Sequence, residues 1–555
     1  MRIKYLKIEK FKNINDFELD LRNNTNNILV TVGKNGTGKS NLLEALVLIF
    51  RNLFLYEKQS LATIQESSKY PLFDFVIEYE CNENIVKVDF RKKQTDEPDL
   101  FPLKEETLVD FVEREYIFKV NNRALRSKGA FFKKNEEDNY RFLPKYVFAY
   151  YSGISNRLEE HFDYHQNQFY DDLLKGKDNP FRPLFYARPI HSNFVLLAFY
   201  AFQQDESITE FLKTRLNIVG LESALFVIRK PQWKSREGDI RFWKAKGVVK
   251  KFLNNLFKES FIPIRGKVKV RRDFRHSKEE ECWYLFLKDQ ASLKKLANTY
   301  SNQIDFFKAL ESTYISDLIH ETRIKVKRKN EDGSITFKEL SEGEQQLLTV
   351  LGLLKFSNSA ESLFLLDEPD THLSPIWGHD YLKMLETVSG DINKSQMFLS
   401  THKSTTVSGL SKEQILVFDF DENGKTIWDY PEVDAKGLTS DGVLTQIFDM
   451  EYTYDEETWK EMLERRRLFA RKLDLEKQGK NLSKEEAIEL QRITEKMSEK
   501  AQPYYDPLFF DFINAMNDSE FETYSKPAPL SEEEKQERIR KAKEIYAKLK
   551  KERGL

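Results

Sequence analysis

The sequence predicts an α/β protein: a mixed sheet with helices packed on it, a largely helical insertion and a helical C-terminal extension. Three observations predict it. An apolar strand, a glycine-rich turn and an amphipathic helix follow one another over residues 27–50. Short apolar strands alternate with helical patterns between 322 and 419. Beyond 440 the pattern turns to charged helices. The expected divisions are 1–155 for the lobe holding the glycine-rich turn and 156–260 for the helical, basic and aromatic insertion. A second lobe is expected over 261–440, a helical hairpin over 441–524, and a linker with a charged terminal helix over 525–555.

In chain order, residues 2–8 and 15–21 alternate apolar and polar side chains, which predicts two antiparallel strands. NILVTV (27–32) reads as a buried strand, and NLLEALVLIF has helical spacing. Further strands are expected within 73–90, at 116–120 and at 146–151. From Leu158 to Phe257 the pattern is mostly helical and aromatic. Strands return at 262–272 and 283–287, a helical stretch covers 290–320, and strands at 322–328 and 334–339 flank the turn residues Asn330, Asp332 and Gly333. Then come helix 342–356, strand 363–367, helix 375–388 and strands 396–400 and 414–419. In the tail, helices are expected at 456–478 and 484–500, with Gly479 stopping the first and Ser483 with Glu486 capping the second. SKPAPL (525–530) reads as a linker, and Ser531 with Glu534 as the cap of a last helix.

The 555 residues are too many for one ordinary domain, and 43 Phe with 24 Tyr argue against disorder. The formal net charge of −2 excludes a uniformly basic nucleic-acid coat, though not a local patch. Two cysteines, Cys81 and Cys282, cannot build a zinc site or a disulfide framework. No stretch reaches the ~18 apolar residues of a membrane span, and the N-terminus has no signal-peptide run, so a soluble cytoplasmic protein without membrane contact is expected.

Gly33-Lys34-Asn35-Gly36-Thr37-Gly38-Lys39-Ser40 fits the phosphate-loop pattern in its strand–turn–helix context. Glycines let backbone N–H groups turn inward at a helix N-terminus, Lys39 can reach the β- and γ-phosphates, and Ser40 can supply an oxygen to Mg²⁺. The strand Leu363–Leu366 ends in two carboxylates: Asp367 is placed to bind Mg²⁺ and Glu368 to polarise an attacking water. The next apolar strand ends in Thr401-His402, where the imidazole can contact a γ-phosphate or that water. Ahead of both strands, Ser341 and Gly343 sit at the start of helix 342–356, and Ser341 with Glu344 also fits a capping box.

The order of these motifs resembles the ABC-type ATPase head. GKNGTGKS is similar to its Walker A, LSEGEQQ to its signature, LFLLDEPDTHLSP to its Walker B and D-loop, and STHKS to its switch histidine. The resemblance covers residues 1–60 and about 320–420. It implies ATP and Mg²⁺ as cofactors, with ATP bound along Gly33–Ser40 and Asn41. It implies Lys39, Glu368 and His402 as catalytic residues and Ser40 with Asp367 as metal ligands. It also implies two heads joined head-to-tail in a homodimer or higher even oligomer, with Ser341, Gly343 and Glu344 acting in trans. Glu342 and Glu344 depart from the transporter signature towards SMC and RecF-type heads. Gln166 and Gln168 are the candidates for a Q-loop. DEPDTHLSP and GLTSDGVLTQIF resemble anti-phage and restriction-associated ATPases, the PtuA ATPases of Septu systems in particular. That likeness implies a slow, regulatory ATPase gating an HNH nuclease of the PtuB kind, in some systems with a retron reverse transcriptase and its RNA–DNA hybrid.

Two alternatives stand beside it: a single-chain nuclease of the OLD type, and a RecF- or SMC-like repair head. For the first, Asp419-Phe420-Asp421 mimics half of a Toprim site, although Asn423-Gly424 reads as a plain hairpin turn. Arg229–Lys251 holds nine Lys/Arg with Trp233, Phe242 and Trp243 interleaved, so Arg241, Lys244, Lys246, Lys250 and Lys251 are candidate contacts to DNA or RNA.

Overall fold

The computed structural model describes residues 1–93, 114–136, 139–177, 182–202, 206–233, 237–271, 275–329, 334–336, 340–357, 361–389, 394–477 and 479–499, with 537, 540, 541 and 544. It divides into two compact units, Met1–Glu451 and Tyr452–Leu555.

Among the described residues the first unit is an α/β structure with three sheets. In the first sheet, β1 (Arg2–Phe11), β2 (Ile14–Asp20), β4 (Phe75–Cys81), β5 (Asn84–Lys92), β6 (Arg114–Val120) and β7 (Arg123–Ala124) run antiparallel in the order β2-β1-β4-β5-β6-β7. Its strands have one buried face: β4 turns Phe75, Ile77, Tyr79 and Cys81 inward and Val76, Glu78 and Glu80 outward.

The second sheet carries the site. β3 (Ile28–Gly33), β8 (Tyr146–Tyr151), β9 (Leu184–Tyr186), β15 (Ser362–Asp367), β16 (Gln396–Ser400), β17 (Ile415–Phe420) and β18 (Thr426–Asp429) lie in the order β18-β17-β3-β16-β15-β8-β9, parallel except for β18. Both its faces are covered, so β15 and β16 are buried at every residue. Alternate residues divide between two cores. Leu29, Leu363, Leu365 and Phe398 join α1 (Lys39–Tyr56) and the antiparallel sheet. Val30, Val32, Phe364, Leu366, Met397 and Leu399 face α5 (Ile190–Phe202), α10 (Glu342–Ser357) and α11 (Pro375–Ser389). The phosphate-loop helix is thus sandwiched between two sheets.

The third sheet is antiparallel, with β10 (Ile218–Arg229), β11 (Ile264–Arg271), β12 (Ser277–Leu287), β13 (Ile319–Arg328) and β14 (Ser334–Thr336) in the order β11-β12-β10-β13-β14. One face packs on α7 (Gly247–Glu259), α8 (Gln290–Ala297) and α9 (Gln303–Ile315). Further α-helices among the described residues of the unit are α2 (Leu61–Glu66), α3 (Lys128–Phe131), α4 (Glu160–Leu174), α6 (Glu206–Arg215), α12 (Ser404–Val407) and α13 (Ser440–Gln446).

Two differences from the sequence expectation have a physical cause. The stretch expected to be mostly helical contains α4–α7 but also β9 and the twelve-residue β10. β10 pairs with both β12 and β13, so a boundary at 260/261 falls inside one sheet, and the compact unit also runs across 155/156 and 440/441. In β10, Leu221, Glu222, Ala224 and Leu225 interrupt a strand pattern that Ile218, Val219, Phe226, Val227 and Ile228 favour, and burial of Ala224, Phe226 and Ile228 against the helices below settles the strand. The run 290–320 is two helices, because the Asn302 side chain accepts from Asp305 N–H and starts a second one.

The second unit contains α14 (Glu456–Lys477) and α15 (Lys484–Glu499), which pack through Leu468 and Ile493. Gly479 has φ +68°, and Ser483 and Glu486 exchange reciprocal 3.2 Å hydrogen bonds, as the capping pattern requires. Trp459 stacks on Tyr452, whereas Leu463 and Phe469 are exposed. The linker 525–530 and the Ser531–Glu534 cap lie outside the described residues. Among the described residues no helix is long and apolar enough to cross a membrane.

Candidate functional site

The phosphate loop leaves the C-terminal edge of β3. Gly33 has φ +134°, and a Cβ there would stand 2.1 Å from the Phe418 carbonyl oxygen of neighbouring β17, so only glycine fits. Gly36 and Gly38 are also left-handed, at +87° and +104°. Gly38 precedes α1 without a side-chain cap, which leaves the first-turn N–H groups to an anion. Lys39 is buried, and its Nζ donates to the Gly33 and Lys34 carbonyls at 2.7 and 2.8 Å. Burial pushes this ammonium's pKa down, while Glu368 and Asp367 pull it back up. Thr37 Oγ1 closes the turn on the Lys34 carbonyl. Lys34 itself meets Asp449 at 3.2 Å, Asn35 is exposed, and Asn41 is bonded to Asn13, whose amide also holds the Gly36 carbonyl.

Strand order brings the acidic pair to the same edge. Ser40 Oγ donates to Asp367 Oδ1 at 2.9 Å, and the Ser400 hydroxyl donates to the same oxygen. Asp367 Oδ2 is buried and has no hydrogen-bond partner. Burial pushes the Asp367 carboxyl up, against the hydrogen bonds from Ser400 and Ser40 and the charge of Arg157. An orphaned buried oxygen beside a serine hydroxyl is what a divalent cation would satisfy, so these residues fit Mg²⁺. Glu368 has φ +52°, a strained value for a non-glycine residue, held by its N–H donating to Ser400 O at 3.0 Å. His402 Nδ1 lies 3.2 Å from Glu368 Oε1. Lys39, Ser40, Asp367, Glu368 and His402 therefore converge at one sheet edge.

The signature residues form their own turn. Ser341 and Glu344 make the reciprocal capping box, with Glu344 N–H donating to Ser341 Oγ at 3.2 Å and Ser341 N–H to Glu344 Oε2 at 2.7 Å. Glu344 also pairs with Arg328 at 3.0 Å. A Cβ on Gly343 would stand 2.5 Å from His372 O, so this turn packs on the loop that follows Glu368. Gln346 joins the two, donating to Glu368 O and accepting from His372 N–H.

Several residues of the site escaped the sequence reading. Lys403 Nζ donates to the carbonyls of Asp370, Thr371 and Leu373, and the buried Asp370 carboxylate takes the Thr401 and Thr406 hydroxyls, which braces the loop after Glu368. Glu44, fully buried on α1, accepts from Lys12 Nζ at 2.5 Å, Arg157 Nη2 at 2.8 Å and His161 Nε2 at 2.9 Å. The available signal was a lone glutamate within the apolar run NLLEALVLIF. Burial alone would push its carboxyl up, but hydrogen bonds from His161, Lys12 and Arg157 hold it at about 2, below the ordinary 4.5. Its contribution is therefore complete above pH 4.5 and lost as pH falls towards 2. We expect Glu44→Gln to cost roughly 3–5 kcal/mol by stranding its cations. Urea melts should show that gap at pH 7 and a smaller one at pH 3; an equal gap at both contradicts it.

The Q-loop candidates are not brought to the site. Gln166 on α4 accepts from Arg188 Nη2 at 2.9 Å, and Gln168 is exposed. The segment at the edge is instead the one after β8, where Ser152 N–H donates to Asp367 O at 3.2 Å.

Of the candidate nucleic-acid contacts, Arg241 bonds Asp239 and Asn254 and lies 5.3 Å over Phe257, and Lys246 faces Glu237 at 3.6 Å. Lys244 is half-buried with φ +69°, whereas Lys250 and Lys251 are exposed on α7. The aromatics are structural: Phe242 is fully buried, and the Trp233 indole N–H donates to Trp243 O at 2.8 Å. Asp419 and Asp421 sit on a hairpin. Asp421 Oδ1 accepts from Asn423 and Lys425 N–H, and Gly424 takes φ +75°. Among the described residues no group of three or more His, Cys, Asp or Glu could hold a metal ion.

A family model described as AAA ATPase domain matches residues 1–407. Among solved structures, the chain is similar to the SMC head domain from Thermotoga maritima at 13% identity, covering 78% of this chain and 100% of that one, with a TM-score of 0.31. It is also similar to the Smc head domain with an extended coiled coil bound to the C-terminal domain of ScpA, from Pyrococcus furiosus, at 13% identity, 77% and 96% coverage, and a TM-score of 0.30. No curated protein matches the chain.

Proposed function

We propose, from the premise that this chain belongs to the AAA ATPase domain family, that it binds and hydrolyses ATP and uses the nucleotide cycle to gate a partner nuclease. The observation that carries the ATPase reading is the orphaned Asp367 Oδ2, set beside Ser40 and the uncapped glycine loop. Lys39 exchanges the Gly33 and Lys34 carbonyls for phosphate oxygens, to which loop N–H groups also donate. Ser40 and Asp367 would hold Mg²⁺, which when bound would neutralise charge on the phosphates. Glu368 accepts the proton of the attacking water, and His402 holds the Glu368 carboxylate in place.

A second copy completes the site, its Ser341 and Gly343 facing the triphosphate in trans while Glu344 holds Ser341 in its cap. The finer reading is antiviral: an HNH nuclease as the gated partner, with a retron reverse transcriptase and its RNA–DNA hybrid as a further one. The helical second unit is the docking element, and exposed Lys250 and Lys251 are the cations best placed for nucleic acid. The hairpin geometry of Asp419 and Asp421 favours this reading over a single-chain nuclease.

The purified chain with Mg²⁺ and ATP is expected to release phosphate and to double its mass in light scattering. Co-expressed with an HNH nuclease, it should yield plasmid cleavage that depends on the nucleotide. A chain that neither binds nor hydrolyses ATP defeats the ATPase reading. Cleavage indifferent to nucleotide defeats the gating, and metal-dependent nicking by the chain alone, lost in Asp419→Ala, restores the single-chain nuclease.

A further inference from the structure

Beside the phosphate loop stands a guanidinium to which the steps above give no task. Arg157 lies in the connector between β8 and α4. β8 is the parallel neighbour of β15, so the connector leaves the sheet at the edge where Asp367 sits. There Ser152 N–H donates to Asp367 O at 3.2 Å, and the Ser152 and Thr371 hydroxyls share a 3.0 Å hydrogen bond. Residues 153–156 are exposed, and then the chain turns back. Arg157 Nη2 donates to Asn41 Oδ1 at 2.6 Å and to Glu44 Oε2 at 2.8 Å. Asn41 directly follows Ser40, so the guanidinium is parked one residue from the hydroxyl on the metal side of the site. Its Nε is buried and has no partner, so the group has unused donor capacity.

The anchor it rests on does not depend on it alone. Glu44 also accepts from Lys12 Nζ and His161 Nε2, so a departing Arg157 leaves that buried carboxylate paired. His161 lies in the first turn of α4, which ties the same carboxylate to the helix after the connector. A planar guanidinium matches a phosphate two-pronged, and a terminal phosphate offers more negative charge than the Asn41 amide oxygen it would replace.

We propose that Arg157 is the residue by which this chain distinguishes ATP from ADP: parked on Asn41 and Glu44 here, its guanidinium moves to the terminal phosphate and draws the β8–α4 connector with it. This rests on the ATPase reading. It gives the nucleotide state a route out of the site, because α4 packs through Phe169 and Leu173 in the same core as β10 and α7–α9.

The test is titration of fluorescently labelled ATP and ADP into the parent, Arg157→Ala and Arg157→Lys, with a nucleotide-free thermal melt as the folding control. Arg157→Ala should weaken ATP by about 10- to 100-fold and ADP by less than about 2-fold. Arg157→Lys, keeping the charge but not the fork, should fall between. Hydrogen exchange on the parent should show residues 152–160 protected by ATP and not by ADP, a readout that holds even where Arg157→Ala fails to fold. An unchanged ATP-to-ADP ratio in a folded Arg157→Ala, or equal protection of 152–160 by both nucleotides, overturns the proposal and leaves the ATPase reading standing. A parent that binds neither nucleotide removes both.

Discussion

Lys39→Ala is expected to weaken ATP binding on the order of 100-fold or more, the effect of losing charge-assisted hydrogen bonds to two phosphate oxygens. The ammonium is already positioned and partly desolvated: it is buried, bonded to the Gly33 and Lys34 carbonyls, and drawn towards Glu368 and Asp367. Those carbonyls hold the loop in its present shape but do not balance a charge, so a phosphate is the stronger partner. The fold should survive, because the loop is also shaped by Gly33, Gly36 and Gly38 and closed by Thr37. Titration of a fluorescent ATP analogue, with a thermal melt alongside, checks both halves. Parental affinity in a folded variant would remove Lys39 from the site.

Glu368→Gln should do the opposite: affinity within about 3-fold of the parent, but hydrolysis slower by about 10²–10⁴-fold, the usual range for losing a general base. The amide is isosteric, so the strained φ of +52° and the N–H bond to Ser400 can persist. What disappears is a proton acceptor and the negative partner of His402 at 3.2 Å. With turnover blocked, the ATP-bound pair of heads should accumulate, visible as a doubled mass that the parent loses as it consumes ATP. Single-turnover phosphate release measures the rate. Hydrolysis at the parental rate would assign the base elsewhere, and the residue to examine next would be the neighbouring His402.

The phosphate loop was legible because its information is local. Glycine at 33, 36 and 38 is required by positive φ, and strand, turn and helix lie within one short stretch. The carboxylates of Asp367 and Glu368 were legible for a similar reason, since a fully apolar strand ending in two acids is an unusual pattern. β10 was not legible. Leu221, Glu222, Ala224 and Leu225 interrupt the strand pattern of its Ile, Val and Phe residues, and its register is set only by its partners β12 and β13, from chain more than 40 residues later. Nor was the Glu44 cluster: Lys12 comes from the β1–β2 turn and Arg157 and His161 from the segment that opens α4, and nothing in the sequence links either to a glutamate on α1. A Q-loop was not legible either: residue type offers Gln166 and Gln168, whereas the sheet edge is occupied by the segment after β8.

By itself the sequence determined the α/β class, the place of the glycine-rich loop, the acidic strand end and the capped helices. Each is written in backbone conformations and burial periods that span a single element. Only the tertiary structure decided that β3, β16 and β15 lie side by side, that Ser40 and Ser400 share one Asp367 oxygen and leave the other unpaired, and that Arg157 is parked against the loop. Those facts depend on which distant strands pair. Pairing is settled by burying both faces of the parallel sheet at once, a condition on the whole unit that no local stretch of residues records.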